Sequence, residues 1–303
     1  MGTSNEGRAA DAARVEPRSP LVDVEGLLAQ LGDPTLRIID ARFDLADASA
    51  GRRAHATSRI PGAEYAHLDD DLSDHAKPAR DGRHPLPEAD RFAATLARWR
   101  VTPATPVVVY DAGSGAMAAA RAWWLLRWMG HADVRVLDGG FAAWAAAGAP
   151  VDASPAKSPA AAAAPHPEAG EARWRPGSAP TADADAVAAR DAATVLVDAR
   201  ARERFRGDVE PLDPKAGHIP GARSRPFAEN LEAGRFKPVD RLREEWLGLL
   251  PEGGRALLSC GSGVTACHHA LALVHAGWPM PVLFAPSWSG WVSDSRRPVA
   301  VGD

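Results

Sequence analysis

One of the two cysteines in this chain of 303 residues stands at a junction suited to sulfur chemistry. Cys260 lies in Ser259-Cys260-Gly261-Ser262-Gly263-Val264-Thr265-Ala266-Cys267-His268-His269. Before it, Arg255-Ala256-Leu257-Leu258 reads as a buried strand; after it, Ala266 to His275, rich in Ala, Leu and Val, reads as a helix. Gly261 and Gly263 let the backbone curl tightly, so successive N–H groups can point into one concavity above Cys260, reinforced by the positive end of the helix dipole. A thiolate placed there is expected to titrate below the free-cysteine value of roughly 8.5 and to act as a nucleophile at neutral pH. The bland alternative is an inert buried cysteine beside a glycine-rich turn. The Gly-x-Gly loop at a helix start argues against it.

The elements that must position this loop are written twice in the chain. Leu36-Arg37-Ile38-Ile39-Asp40-Ala41-Arg42 returns as Thr194-Val195-Leu196-Val197-Asp198-Ala199-Arg200, with the two aspartates 158 positions apart. Ile60-Pro61-Gly62-Ala63 returns as Ile219-Pro220-Gly221-Ala222, an offset of 159. Val107 to Gly115 followed by a helix over 118–129 parallels Leu257 to Gly263 and its helix; Asp111 answers Cys260, and Trp144 answers Trp291. Landmarks in one order at a nearly constant offset indicate a duplicated domain. Within each copy short apolar strands alternate with helices, the grammar of an α/β parallel sheet covered on both faces. Strands are predicted near 37–40, 107–110 and 134–137, and again near 195–198, 256–259 and 282–284. Ligands of such sheets sit at the carboxyl ends of the strands, where Cys260 falls. The reading divides the chain into a disordered arm (1–20), a first domain (21–150), an Ala/Pro-rich linker (151–180) that wraps the outside, and a second domain (181–303).

Composition narrows the function classes. The net charge of -4 and the lack of a basic run argue against a nucleic-acid partner. Two cysteines do not make a disulfide framework, and the first twenty residues are neither a secretory signal nor an anchor, so a cytoplasmic, reducing setting is expected. No apolar run is long enough to span a bilayer, and no Cys/His spacing resembles a zinc site.

Cys260-Gly261-Ser262-Gly263-Val264-Thr265, followed by Ala266-Cys267-His268, resembles the active-site loop of the 3-mercaptopyruvate sulfurtransferases of the rhodanese superfamily. The resemblance covers roughly residues 20–150 and 180–300 and implies two tandem rhodanese-like domains. Thiosulfate-type rhodaneses carry basic residues directly after the cysteine, where this chain has Gly261 and Ser262. The related cysteine phosphatases need an Arg about six residues after the nucleophile to clamp phosphate, where this chain has Ala266.

The resemblance implies sulfur transfer through a Cys260 persulfide, from 3-mercaptopyruvate or thiosulfate to a thiol, thioredoxin-like proteins included, or to cyanide. It implies no cofactor and no metal. A sulfur-relay or binding protein with little small-molecule turnover is the reading from another class. A Ser–His–Asp relay is implied at Ser262, His84 and Asp69, and His84 on its own reads as a surface-loop histidine. Gly261, Gly263, Val264 and Thr265 are implied to line the substrate site, and Arg204 matches a substrate-binding arginine. At the place of a second such arginine stands Leu212, with Lys215 or Arg206 as substitutes or plain surface charges. The first copy, with Asp111 for cysteine, is silent as a sulfur carrier. Cys267 reads as helix packing or as a resolving thiol, and His218 as structural. Trp288 and Trp291 are expected to pack the last helix against the sheet and to wall one side of the cleft.

Overall fold

The computed structural model describes residues 19–115, 117–154 and 173–303; most of the expected arm and of the expected linker lies outside them. The first half contributes strands β1 (Leu21–Val22), β2 (Arg37–Asp40), β3 (Glu64–Tyr65), β4 (Val107–Tyr110) and β5 (Val134–Leu137). Its helices are α1 (Val24–Leu28), α2 (Ala50–Thr57), α3 (Ala89–Arg98), α4 (Ala118–Trp128) and α5 (Gly140–Ala146). The second half has β6 (Thr194–Asp198), β7 (Arg223–Ser224), β8 (Leu231–Glu232), β9 (Arg235–Phe236), β10 (Arg255–Ser259) and β11 (Val282–Leu283). Its helices are α6 (Ala184–Ala188), α7 (Arg202–Arg206), α8 (Val239–Leu249), α9 (Ala266–His275) and α10 (Ser287–Ser293).

The sheets repeat one topology. The first runs β1-β5-β4-β2-β3 and the second β11-β10-β6-β7, all parallel, so β5-β4-β2-β3 and β11-β10-β6-β7 are the same four positions. The central strands are short because both faces are covered: all four residues of Val107–Tyr110 are buried, so a continuous apolar run suffices. Details recur with the topology. Asp23 caps α1 by accepting the Gly26 N–H at 2.7 Å, and Asp183 caps α6 by accepting the Ala186 N–H at 2.8 Å. At the strand ends Arg42 grips Asp40 and Arg200 grips Asp198, each through Nε and Nη2, and each arginine also donates to a carbonyl, of Ser58 and Gly217. These are buried pairs, and removing one partner from such a pair costs about 3–5 kcal/mol. Trp144 and Trp291 each donate Nε1–H to a carbonyl, that of Pro150 at 2.8 Å and of Pro298 at 2.9 Å.

The halves share one large core. It runs from Ile39, Val109 and Trp123 of the first sheet and its helix to Leu258, Cys260 and Leu271 of the second, with α4 against α9 at the seam. Two polar clasps cross the same seam: the Phe236 N–H donates to Asp138 at 2.9 Å, and the Arg83 N–H donates to Ser289 Oγ at 2.9 Å. The carboxyl end of β10 therefore faces loops of the first half, and the site is built from both.

Candidate active site

Cys260 is 1 % exposed and follows β10 directly. Its sulfur accepts the Gly263 N–H at 3.1 Å, which requires the chain to reverse within three residues. Gly263 manages this at φ +77°, and a Cβ there would lie 2.2 Å from the Ala285 carbonyl oxygen, so no other residue fits without displacing backbone. Among the described residues the N–H groups of Gly261, Ser262, Val264 and Thr265 have no hydrogen-bond acceptor, leaving free donors in the loop. The loop is held from outside by the start of α10. The Trp288 N–H donates to the Cys260 carbonyl at 3.0 Å, the Ser289 N–H to that of Gly261 at 2.9 Å, and Ser287 Oγ accepts the Cys260 N–H at 3.0 Å. Ser287 keeps φ +53°, unusual for a residue other than glycine, and sequence reasoning did not single it out.

The matching loop of the first half shows what this shape binds. There the Asp111 carboxylate folds back into its own loop and accepts N–H groups from Gly113 (3.1 Å), Gly115 (2.9 Å) and Met117 (3.3 Å). Burial pushes the Asp111 carboxyl up, and the amide donors work against that. One loop design thus encloses a carboxylate in one copy and a sulfur in the other.

The predicted relay residues come together. Ser262 Oγ and His84 Nδ1 are 2.8 Å apart across the seam, and His84 Nε2 is 3.5 Å from Asp69. With Nε2 turned to a carboxylate, the neutral ring carries its proton there, and Nδ1 accepts from the Ser262 hydroxyl. Burial, then the charges of Arg121 and Arg83, hold His84 down to about 3, so it is neutral at physiological pH. His84 is buried, not a surface-loop histidine. His75, which sequence reasoning missed, donates its Nε2–H to the same Asp69 oxygen at 3.1 Å and packs edge-on against His84.

Cys260, Gly261, Ser262, Val264 and Thr265 line a cavity of 240 Å³ together with His84, Arg83, Arg204, Leu45 and Leu212. Gly263 forms the turn behind it, and Asp69 stands behind His84. Larger hollows near Arg190 and Arg296 contain no cysteine or histidine. Arg204 pairs with Glu210 at 2.6 Å and with Asp213 at 3.3 Å, while Arg83 pairs with the other oxygen of Asp213 at 2.6 Å. Their guanidinium nitrogens lie 3.3 Å and 3.4 Å from where a Cβ on Gly261 would stand, so two cations flank the residue after the nucleophile. Neither substitute named for Leu212 joins them. Arg206 pairs with Asp208 and Asp303, and Lys215 donates to the Ser295 carbonyl, both away from the cavity. The second cation is Arg83, which sits in the sequence immediately before His84.

The remaining expectations divide. Cys267 is packing: its thiol donates to the Gly263 carbonyl at 3.3 Å, and burial pushes it up to about 12. His218 is structural, bonded to the Phe205 carbonyl at 2.9 Å and stacked on the Phe205 ring. Trp288 and Trp291 pack α10 onto the sheet with Leu257 and Phe284, as expected, but neither is among the residues that line the cavity, so they do not wall the cleft.

No described helix is long and apolar enough to cross a membrane. The family model described as rhodanese-like domain matches residues 23–147 and 183–294. A Pseudomonas aeruginosa protein named as a probable 3-mercaptopyruvate sulfurtransferase is 45% identical over 93% of this chain and 98% of its own length. The thiosulfate sulfurtransferase of Gallus gallus is 32% identical over 84% of this chain and 86% of its own. The solved structure of 3-mercaptopyruvate sulfurtransferase from Leishmania major superposes with a TM-score of 0.77 at 29% identity, covering 94% of this chain and 77% of that one. Two copies of one sheet topology, two matches to one family model and relatives spanning nearly the whole length make this chain a member of the rhodanese family with two rhodanese-like domains.

Proposed function

We propose that the protein is a sulfurtransferase that takes a sulfane sulfur from 3-mercaptopyruvate onto Cys260 and passes it to a thiol or to cyanide. The observation that carries this reading is Cys260 Sγ, held by the Gly263 N–H on the floor of a small cavity walled by Arg83, Arg204 and the Ser262–His84 pair. The Cys260 thiolate attacks the donor thiol sulfur; the donor C–S bond breaks, and its electron pair becomes the enolate of pyruvate. The proton of the new persulfide passes by way of Ser262 and His84, with Asp69 facing the transient imidazolium, to the enolate carbon, so pyruvate leaves without an outside proton. An acceptor thiolate or cyanide then attacks the terminal sulfur, and the S–S electron pair returns to Cys260. Arg83 and Arg204 would hold the donor carboxylate, exchanging part of their pairing with Glu210 and Asp213. The carrier atom belongs to the protein, so the cycle needs no cofactor.

The first domain contributes His84, Asp69 and Arg83, while its Asp111 cannot carry sulfur. Two unpaired cysteines support a reducing compartment such as the cytoplasm, where a thioredoxin-like dithiol is a chemically suitable acceptor. Intact-mass measurement after treatment with 3-mercaptopyruvate tests the reading. One added sulfur, lost in Cys260→Ser, is expected; no added sulfur with 3-mercaptopyruvate overturns it. The pair of guanidinium groups also suits a dianion, which favours thiosulfate as a second donor; a larger kcat/KM for thiosulfate under matched conditions would make it the principal one.

A further inference from the structure

Arg121, in the middle of the apolar helix α4, is 0 % exposed, and its role is not explained by packing. Its hydrogen bonds among the described residues all go to backbone carbonyls: Leu72 at 3.4 Å, His84 at 3.0 Å and Gly263 at 3.1 Å. A buried guanidinium whose partners are carbonyls and the Cys267 thiol is costly unless an anion lies near. Burial acts against its charge, and the sulfurs of Cys267 and Cys260 act in its favour. Cys267 cannot supply the anion, because its thiol spends its proton on the Gly263 carbonyl and is pushed up to about 12. That leaves Cys260.

The geometry points to Arg121 as a positioning residue for sulfur transfer, by which the half without the cysteine fixes the Cys260 loop against His84 and sets a permanent cation behind the reactive sulfur. One guanidinium bonds the backbone of His84 and that of Gly263, the residue after Ser262, and so spans the Ser262–His84 contact. Gripping the Gly263 carbonyl also sets the next peptide plane. In a trans peptide the Val264 N–H points opposite that carbonyl, hence away from Arg121. The other charged groups facing the sulfur are Arg83, Arg200 and Arg204 on the cavity wall, with Glu210 and Asp213 paired to them, and neutral His84. Arg83, Arg200, Arg204 and His84 line the cavity, whereas Arg121 acts from within the core.

This inference rests on Cys260 as the reactive sulfur, and alkylation by iodoacetamide, which needs no donor, tests it apart from the proposed reaction. Arg121→Met is expected to slow Cys260 alkylation at pH 7 about tenfold, with native circular dichroism. Arg121→Lys keeps the charge but not the fork, so alkylation should stay within about threefold while kcat with 3-mercaptopyruvate falls about tenfold at unchanged KM. A wild-type alkylation rate in folded Arg121→Met overturns the proposal. If Arg121→Met does not fold, Arg121→Lys decides: lowered kcat at constant KM supports it, and unchanged kcat, or a raised KM with slower alkylation, overturns it.

Discussion

His84 of the first domain and Ser262 of the second meet at 2.8 Å, so this polar contact beside the nucleophile loop exists only while the two halves are docked. The resting hydroxyl gives its single proton to His84, which is neutral and can take it. Ser262→Ala removes this link without opening a large cavity. We expect kcat with 3-mercaptopyruvate to fall about 100-fold, the usual scale of a lost proton relay. Transfer from thiosulfate creates no enolate and should fall far less. Steady-state kinetics with both donors check this; an equal loss on both would mean that Ser262 shapes the loop and moves no proton.

Acid should destabilise the protein through its buried histidines. His84, His268 and His269 are held down to about 3, each mainly by burial, against about 6.5 in an unfolded chain. Asn230 Nδ2 lies 3.2 Å and 2.8 Å from Nδ1 of His268 and His269, and donating to both suits the neutral rings. Below pH ~6.5 the unfolded state binds protons that the native state refuses, so stability is lost as pH falls, at up to about 1.4 kcal/mol per histidine per unit. Asp111 and Asp213, pushed up by burial, oppose this. Urea midpoints at pH 6.5 and 5 are expected to fall with pH; a flat or rising profile would show that the carboxyl groups dominate.

Arg83 and Arg204 make the donor-carboxylate reading specific. Replacing either with Ala should raise KM for 3-mercaptopyruvate by roughly 10- to 100-fold, the effect of losing a charge-assisted hydrogen bond of about 1.5–3 kcal/mol. The rise for thiosulfate should be smaller. Matched shifts for both donors would assign the arginines to supporting the loop, since each also pairs with Asp213.

What the sequence revealed follows from how local each feature is. The strands over 37–40, 107–110 and 134–137 were legible because a run of apolar residues buried on both faces needs no partner to be recognised. The two-residue strands Glu64–Tyr65 and Arg223–Ser224 were not, because only pairing with β2 and β6 makes them strands. In the site, Cys260 and its glycines announced themselves by spacing. Arg83 did not: nothing local distinguishes it from a surface arginine until the fold lays it over Gly261. Arg121 left a signal that could have been read, a cation inside the apolar run Ala118-Ala119-Ala120-Arg121-Ala122-Trp123-Trp124.

The two glycines of the loop should respond differently to the same added methyl. At Gly263 the Cβ would meet the Ala285 carbonyl at 2.2 Å in a backbone with φ +77°, so Gly263→Ala must move the turn that brings its N–H to Cys260. Stability should drop by about 1–3 kcal/mol, with slower alkylation of Cys260 and lower kcat. At Gly261 the Cβ would meet only the tips of Arg83 and Arg204, at 3.3 Å and 3.4 Å, which can withdraw. Gly261→Ala should therefore fold with near-native stability and alkylate normally, while KM for 3-mercaptopyruvate rises as the two guanidinium groups are pushed apart. Thermal melts, alkylation rates and kinetics on both variants separate the outcomes. If Gly263→Ala melts and alkylates like the native chain, the Gly263 N–H is not what sustains the reactivity of Cys260, and the nucleophile must owe it to the surrounding cations.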